Sequence, residues 1–159
     1  EFDFYVLSLS WSPSFCEAAS ERGNSGRSQA QCERPYSFVV HGLWPQYERG
    51  FPEYCQRPSP RLDRNIMTSM LDLMPAPGLI FNEWDKHGTC SGLSARAYFE
   101  NVRKARAKIT MRASRLSHAG PRRSVSSPSV VTFCSVIDNG EYASVSVGRM
   151  RGALVARRR

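Results

Sequence analysis

The stretch Asn82-Glu83-Trp84-Asp85-Lys86-His87-Gly88-Thr89-Cys90, read together with His41-Gly42-Leu43-Trp44-Pro45-Gln46, decides how the rest of the chain is understood. The first places Glu83, Lys86 and His87 within five residues of one another. As a helix it sets Glu83 and His87 four apart on one face, with Lys86 flanking them. The second brings another histidine to the end of an apolar run, just before a glycine. Two imidazoles near a carboxylate and an ammonium suit proton transfer around a phosphorus centre on which negative charge builds up. Singly, each histidine is ambiguous. A strand-end His41 is more often structural, and His87 could supply the positive charge at a helix C-terminus. Their shared context carries the reading: both lie near tryptophan, and both precede a glycine, which allows backbone to approach a ligand closely.

Outward from these motifs, Phe2 to Leu9 is aromatic and β-branched and predicts a buried strand. Ser12 or Ser14 can cap a short helix over Phe15 to Ser20. Glu21 to Gln31 is a polar, Gly/Ser-rich loop that a Cys16–Cys32 bridge could close, worth about 3 kcal/mol in chain-entropy terms. Tyr36 to His41 predicts a second strand ending at Gly42, and Pro52 to Arg61 is turn-rich. Between Asp63 and Met74, Ile66, Met67, Met70, Leu71 and Met74 recur at helical period, and Pro75-Ala76-Pro77-Gly78 stops that helix. Ser94 caps a further helix to Lys108 with Ala97, Tyr98, Val102 and Ala105 on one stripe. Ser114 to Ser129 predicts a loop, followed by strands near Val130 to Phe133 and Tyr142 to Val147. No repeat is visible. The fold class expected is α+β, a central antiparallel sheet packed with several helices and stapled by disulfides, as one domain over residues 1–159.

Composition agrees with a globular chain of 41% apolar residues, and no apolar run approaches the roughly 20 residues of a membrane span. No positively charged apolar leader opens the chain at Glu1; either one was removed or none existed. The five cysteines, Cys16, Cys32, Cys55, Cys90 and Cys134, contain no C-x-x-C pair, which argues against zinc or thioredoxin-like chemistry and for disulfides in an oxidising compartment. Up to Val102 there are nine Lys/Arg against twelve Asp/Glu; from Arg103 onward there are thirteen against two. The net +8 is therefore the sum of −3 and +11, and the basic end would attract a polyanion with salt-sensitive affinity. His118, in the basic Ser/Pro stretch, reads as a solvated loop residue.

With these residues in view, the two motifs and the opening Phe4-Tyr5-Val6-Leu7-Ser8-Leu9-Ser10-Trp11-Ser12-Pro13-Ser14-Phe15-Cys16 resemble the ribonuclease T2 family over about residues 2–108. The resemblance implies a secreted or periplasmic endoribonuclease (vacuolar or lysosomal in some relatives) that needs no metal or other cofactor. His87 is then the general base on the ribose 2′-OH and His41 the general acid for the departing 5′-oxygen. Glu83 and Lys86 stabilise the phosphorane and tune His87. The resemblance further implies Cys16–Cys32 and Cys55–Cys90 as pairs, although four cysteines alone allow three connectivities. Trp44 reads either as a base-stacking residue or as core, while Trp11 and Trp84 read as core. Residues 109–159 depart from the family pattern as a divergent, basic stretch in which Cys134 has no evident partner, and three single positions depart as well. Asn82 stands where many relatives carry a phosphate-contacting histidine, Gln46 replaces a common acidic residue near the base site, and Ser10 replaces a common glutamine. Asn82 and Gln46 remain, with Trp44, the candidate substrate-binding residues.

The expected reaction is cleavage of single-stranded RNA by transphosphorylation to 2′,3′-cyclic phosphates and then 3′-phosphates, with weak base specificity. No membrane and no obligatory protein partner is expected. Two other classes compete: a non-catalytic RNA- or polyanion-binding relative that depends on the basic end, and a metal-dependent nuclease using His41 and His87 as ligands. The second lacks an acidic cluster near the motifs suited to magnesium.

Overall fold

The computed structural model describes residues 2–21, 29–109, 131–138 and 141–149. Apolar strands β1 (Phe4–Trp11) and β2 (Phe38–Gln46) pair antiparallel. β3 (Val131–Asp138) lies on the other side of β1, and β4 (Glu141–Arg149) pairs with β3, so the sheet order is β2-β1-β3-β4, antiparallel throughout. Helices α1 (Ser12–Glu21) and the single turn α2 (Gln29–Cys32) follow β1 and are joined by the Cys16–Cys32 disulfide. The loop expected over Glu21 to Gln31 therefore ends in a helical turn, and its residues 22–28 lie outside the described residues. Helices α3 (Arg64–Ser69), α4 (Pro77–Lys86) and α5 (Ala95–Ala107) complete the mixed architecture.

One core joins the sheet to these three helices. Leu7, Leu9, Val40 and Leu43 from the strands meet Met70, Met74, Ile80, Trp84, Tyr98, Phe99 and Val102. Ser94 accepts a hydrogen bond from the Ala97 N–H and so caps α5. β2 is a sheet edge, and two outside groups engage its backbone: the Val40 N–H donates to the Leu73 carbonyl, and the buried Tyr98 hydroxyl donates to the Leu43 carbonyl. Unpaired edge groups are otherwise a template for aggregation.

Several boundaries differ from the sequence expectation: β1 runs on to Trp11, α1 starts at Ser12 with that serine inside it, β3 extends to Asp138, and three further cases have a visible cause. The helix expected over Asp63 to Met74 stops at Ser69. The Arg103 guanidinium takes the Ser69 carbonyl, and Val40 takes that of Leu73, so these carbonyls serve partners outside the helix. The apolar residues of the expected helix still reach the core. Pro77 in the stretch expected to be a breaker opens α4 at its first turn, where a missing N–H costs nothing. β2 does not end at Gly42 but runs to Gln46, with an irregularity in its pairing: Ser8 opposes Gly42 and Leu9 opposes Val40, leaving His41 as the extra residue of a β-bulge. The loop expected at Ser114 to Ser129, and His118 within it, lie outside the described residues.

Candidate active site

The bulge at His41 sets the geometry of the site. It shifts the alternation of β2 by one residue, so Val40 and Leu43 both face the core while His41 and Trp44 approach each other on the other side, ring centroids 5.8 Å apart. Gly42 lies between them because its place is taken. A Cβ there would collide with the Glu83 carboxyl group and with Trp44 Nε1. The glycine expected to admit a ligand is thus required by packing. Gly88 is similar: a Cβ would meet the Trp84 ring and Tyr98.

From the other side comes the end of α4. Ile80 and Trp84 hold the helix to the core, and Trp84 Nε1 also donates to the Pro60 carbonyl at 2.8 Å. The same register places Glu83 and His87 on one face, with the His87 N–H donating to the Glu83 carbonyl at 3.0 Å. Both meet Trp44. Its Nε1 donates to Glu83 Oε2 at 2.6 Å, and its ring lies 5.2 Å from that of His87 at 31°. His41 presents Nε2 to Glu83 Oε1 at 3.6 Å, and its Nδ1 is hydrogen-bonded to Ser10 Oγ at 3.1 Å. The two histidines, far apart in sequence, share one indole, and His41 alone of the two faces the Glu83 carboxyl group.

The Cys55–Cys90 disulfide ties the segment after β2 to the end of α4. The Tyr54 N–H donates to the Lys86 carbonyl at 2.8 Å beside it. This brings in two residues that the sequence reading did not single out, Phe51 and Glu53. The Phe51 ring lies 6.1 Å from that of His87 and 5.8 Å from Lys86 Nζ. Glu53 Oε2 lies 3.3 Å from Lys86 Nζ. Their only signal in the sequence was their closeness to Cys55.

Burial governs the protonation of the site. It raises the Glu83 carboxyl to about 7, against the opposing effects of the Trp44 hydrogen bond and Lys86. It lowers His87 to about 4, assisted by the nearby Lys86 and His41 charges, and lowers His41, again with help from Lys86. His87 Nδ1 is buried and has no hydrogen-bond partner among the described residues. The set therefore offers a neutral imidazole at mildly acidic pH and a carboxyl–imidazole pair that keeps a proton towards neutrality. That is what acid–base chemistry needs.

The other expected residues are placed less centrally. Asn82 is exposed on α4 next to Glu83. Gln46 is buried, its amide donating to the Pro45 carbonyl at 3.0 Å. Trp84 is core, whereas Trp11 is half-buried and packs on Phe38 at 4.7 Å. Among the described residues no group of three or more His, Cys, Asp or Glu is placed to hold a metal ion, and no helix is long and apolar enough to cross a membrane.

Comparison with known proteins adds an independent line. A family model described as the ribonuclease T2 family matches residues 2–129. A protein named ribonuclease from Aeromonas hydrophila is 43% identical over 108 residues, covering 68% of this chain and 46% of that protein. A probable ribonuclease from Haemophilus influenzae is 38% identical over 107 residues, 61% of this chain and 39% of its own. The chain thus spans less than half the length of these two relatives. Among solved structures, RNase NT in complex with 5′-AMP is similar with a TM-score of 0.55 at 32% identity, covering 68% of this chain and 57% of that one.

Proposed function

The chain belongs to the ribonuclease T2 family, and on that premise we propose that it is an endoribonuclease cleaving single-stranded RNA by transphosphorylation. One observation supports the reading above the others. His41 from the bulged strand and His87 from the end of α4 converge on Trp44, which in turn donates to Glu83. His87, kept neutral by burial, takes the proton of the ribose 2′-OH as its oxygen bonds to phosphorus. His41 gives a proton from Nε2 to the 5′-oxygen as the phosphorus–oxygen bond breaks, leaving a 2′,3′-cyclic phosphate. In the following hydrolysis the roles reverse: His41 activates water, and His87 returns a proton to the 2′-oxygen, leaving a 3′-phosphate. Each such proton transfer is worth about 10²–10⁴-fold.

Lys86 and Glu83 act on the charge that builds up on the phosphorane, Lys86 as a cation and the protonated Glu83 as a hydrogen-bond donor. The face of Trp44 can stack on a base or ribose of any sequence, which favours weak base selectivity. Asn82, exposed beside Glu83, can donate to a phosphate oxygen, and Gln46 borders the same strand end. Two disulfides in so small a chain fit an oxidising, secreted or periplasmic location.

Mass analysis of a defined RNA incubated with the protein in EDTA tests the reading. Cyclic phosphates appearing before 3′-phosphates are expected, and a DNA strand carrying one ribose should be cut only after that ribose. Intact RNA would identify a binding module, and cleavage of an all-deoxy strand at a comparable rate would overturn the mechanism.

A further inference from the structure

Lys86, whose charge acts on His41, Glu83 and His87, is already engaged. Its Nζ sits 3.3 Å from Glu53 Oε2 and over the Phe51 ring. The position of Glu53 is not left to a floppy loop. The next residue, Tyr54, donates its N–H to the Lys86 carbonyl and has a left-handed φ of 53°, with the Arg57 guanidinium 4.4 Å above its ring. The residue after that is Cys55, bridged to Cys90. The backbone thus holds a carboxylate beside the ammonium on which a phosphate would settle.

We propose that Glu53 is a charge filter for phosphate groups at Lys86, favouring the monoanionic diester of an internal RNA linkage over the dianionic monoester of a cleaved 3′ end. The inference rests on the phosphate-binding role given to Lys86 above. The physical argument is one of competition. Both side chains of the pair are more than a third exposed, and such a pair is weak, about 0.2–1 kcal/mol, so an incoming phosphate can take Lys86 from Glu53. The displaced carboxylate stays near, since its backbone is tethered. A phosphodiester brings one negative charge to it. A 3′-phosphomonoester, with a second pKa of about 6, brings nearly two at pH 7.5, so its repulsion is nearly doubled. The expected consequence, near and above neutrality, is easier release of the final product relative to binding of uncut RNA, and it fades below about pH 6 as the monoester takes up its second proton.

Calorimetric titration at pH 7.5 and low ionic strength tests this with two ligands: a 2′-O-methyl dinucleotide, which cannot be cleaved, and a nucleoside 3′-phosphate. In E53Q the monoester should bind about 5-fold more tightly and the diester only about 2-fold, and both gains should collapse in 1 M salt, where the screening length is about 3 Å. E53K should go further in the same direction. In K86M both ligands should weaken, and adding E53Q should still tighten the monoester more than the diester, because the repulsion acts from Glu53 directly. Equal tightening of both ligands, or weaker binding in E53Q, would overturn the inference; the latter would make Glu53 a positioning residue for Lys86. If K86M binds both ligands as the parent does, the phosphate role of Lys86 falls first, and the filter with it.

Discussion

The two histidines reach the same indole from opposite structural situations. His41 is the extra residue of a bulge in an edge strand, partly open to solvent, and both ring nitrogens have neighbours: Ser10 at Nδ1 and the Glu83 carboxyl group at Nε2. His87 closes a helix, is buried against Trp44 and Phe51, and leaves Nδ1 without a partner among the described residues. The first is an imidazole coupled to a carboxyl group that can keep a proton near it towards pH 7. The second is an imidazole that burial keeps neutral down to about pH 4. Burial lowers the pKa of both rings, so what distinguishes them is the Glu83 carboxyl group beside His41. That neighbour fits the proton-supplying role proposed for His41, as the neutral His87 fits the accepting one.

The sharpest way to break this contrast is to remove each ring and vary the leaving group. H41A and H87A should each lower kcat/KM on RNA by about 10²–10⁴-fold. With a nucleoside 3′-(p-nitrophenyl phosphate), whose leaving group needs no proton, H41A should recover most of the loss and H87A should not. Equal recovery in both variants would show that the duties are not divided as assigned.

The next largest effect separates the two disulfides. The Cys55–Cys90 bridge ties down the His87 end of α4, whereas Cys16–Cys32 joins α1 to α2. C55S/C90S should lose about 10²-fold in single-turnover rate, since a misplacement of about 1 Å has that cost. C16S/C32S should lose mainly stability, about 2–4 kcal/mol by denaturant unfolding. A folded, fully active C55S/C90S variant would remove the bridge from any positioning role.

Gly42 links the two sides. G42A should displace Glu83 or Trp44 and destabilise the fold by about 1–3 kcal/mol, the usual cost of overpacking, with lower activity at full folding. A thermal melt unchanged from the parent would show that the strand and helix yield more easily than their packing implies.

The smallest expected effect concerns pH. The acid limb of kcat/KM should lie near 4, where His87 gains its proton, and the optimum on the acidic side of neutrality. Removing an apolar neighbour hydrates the ring and favours the imidazolium, so the pKa rises and the base is lost at higher pH. F51A should therefore move the acid limb up by roughly one pH unit. A limb that stays in place would show that Phe51 does not dry His87, and the contrast between the rings would rest on Trp44 alone.

How much of this was legible in the chain follows from the range of the interactions. Ser94 as a cap, the apolar stripe through Tyr98 and Val102, and the shared face of Glu83 and His87 are local. They follow from helical spacing within a few residues, so they could be read directly. The family motifs carried the pairings of Cys16 with Cys32 and of Cys55 with Cys90. The length of α3 and the course of β2 were misread because their carbonyls and their bulge depend on Arg103, Val40 and β1, which are distant in sequence. Phe51 and Glu53 escaped notice for the same reason. Nothing in their own neighbourhood marks them, and only the bridge to Cys90 turns them towards His87 and Lys86.

The sequence by itself determined which groups were available: two imidazoles, a carboxyl group, an ammonium and an indole, with Glu83 and His87 held in helical register. Tertiary structure alone decided that His41 would meet the Glu83 carboxyl group and share Trp44 with His87, and that the two rings would differ in exposure. The physical reason is that bonding and helical spacing act over one or two turns, whereas burial depends on everything that packs around a group. A pKa is a property of that surrounding, and no single segment of the chain contains it.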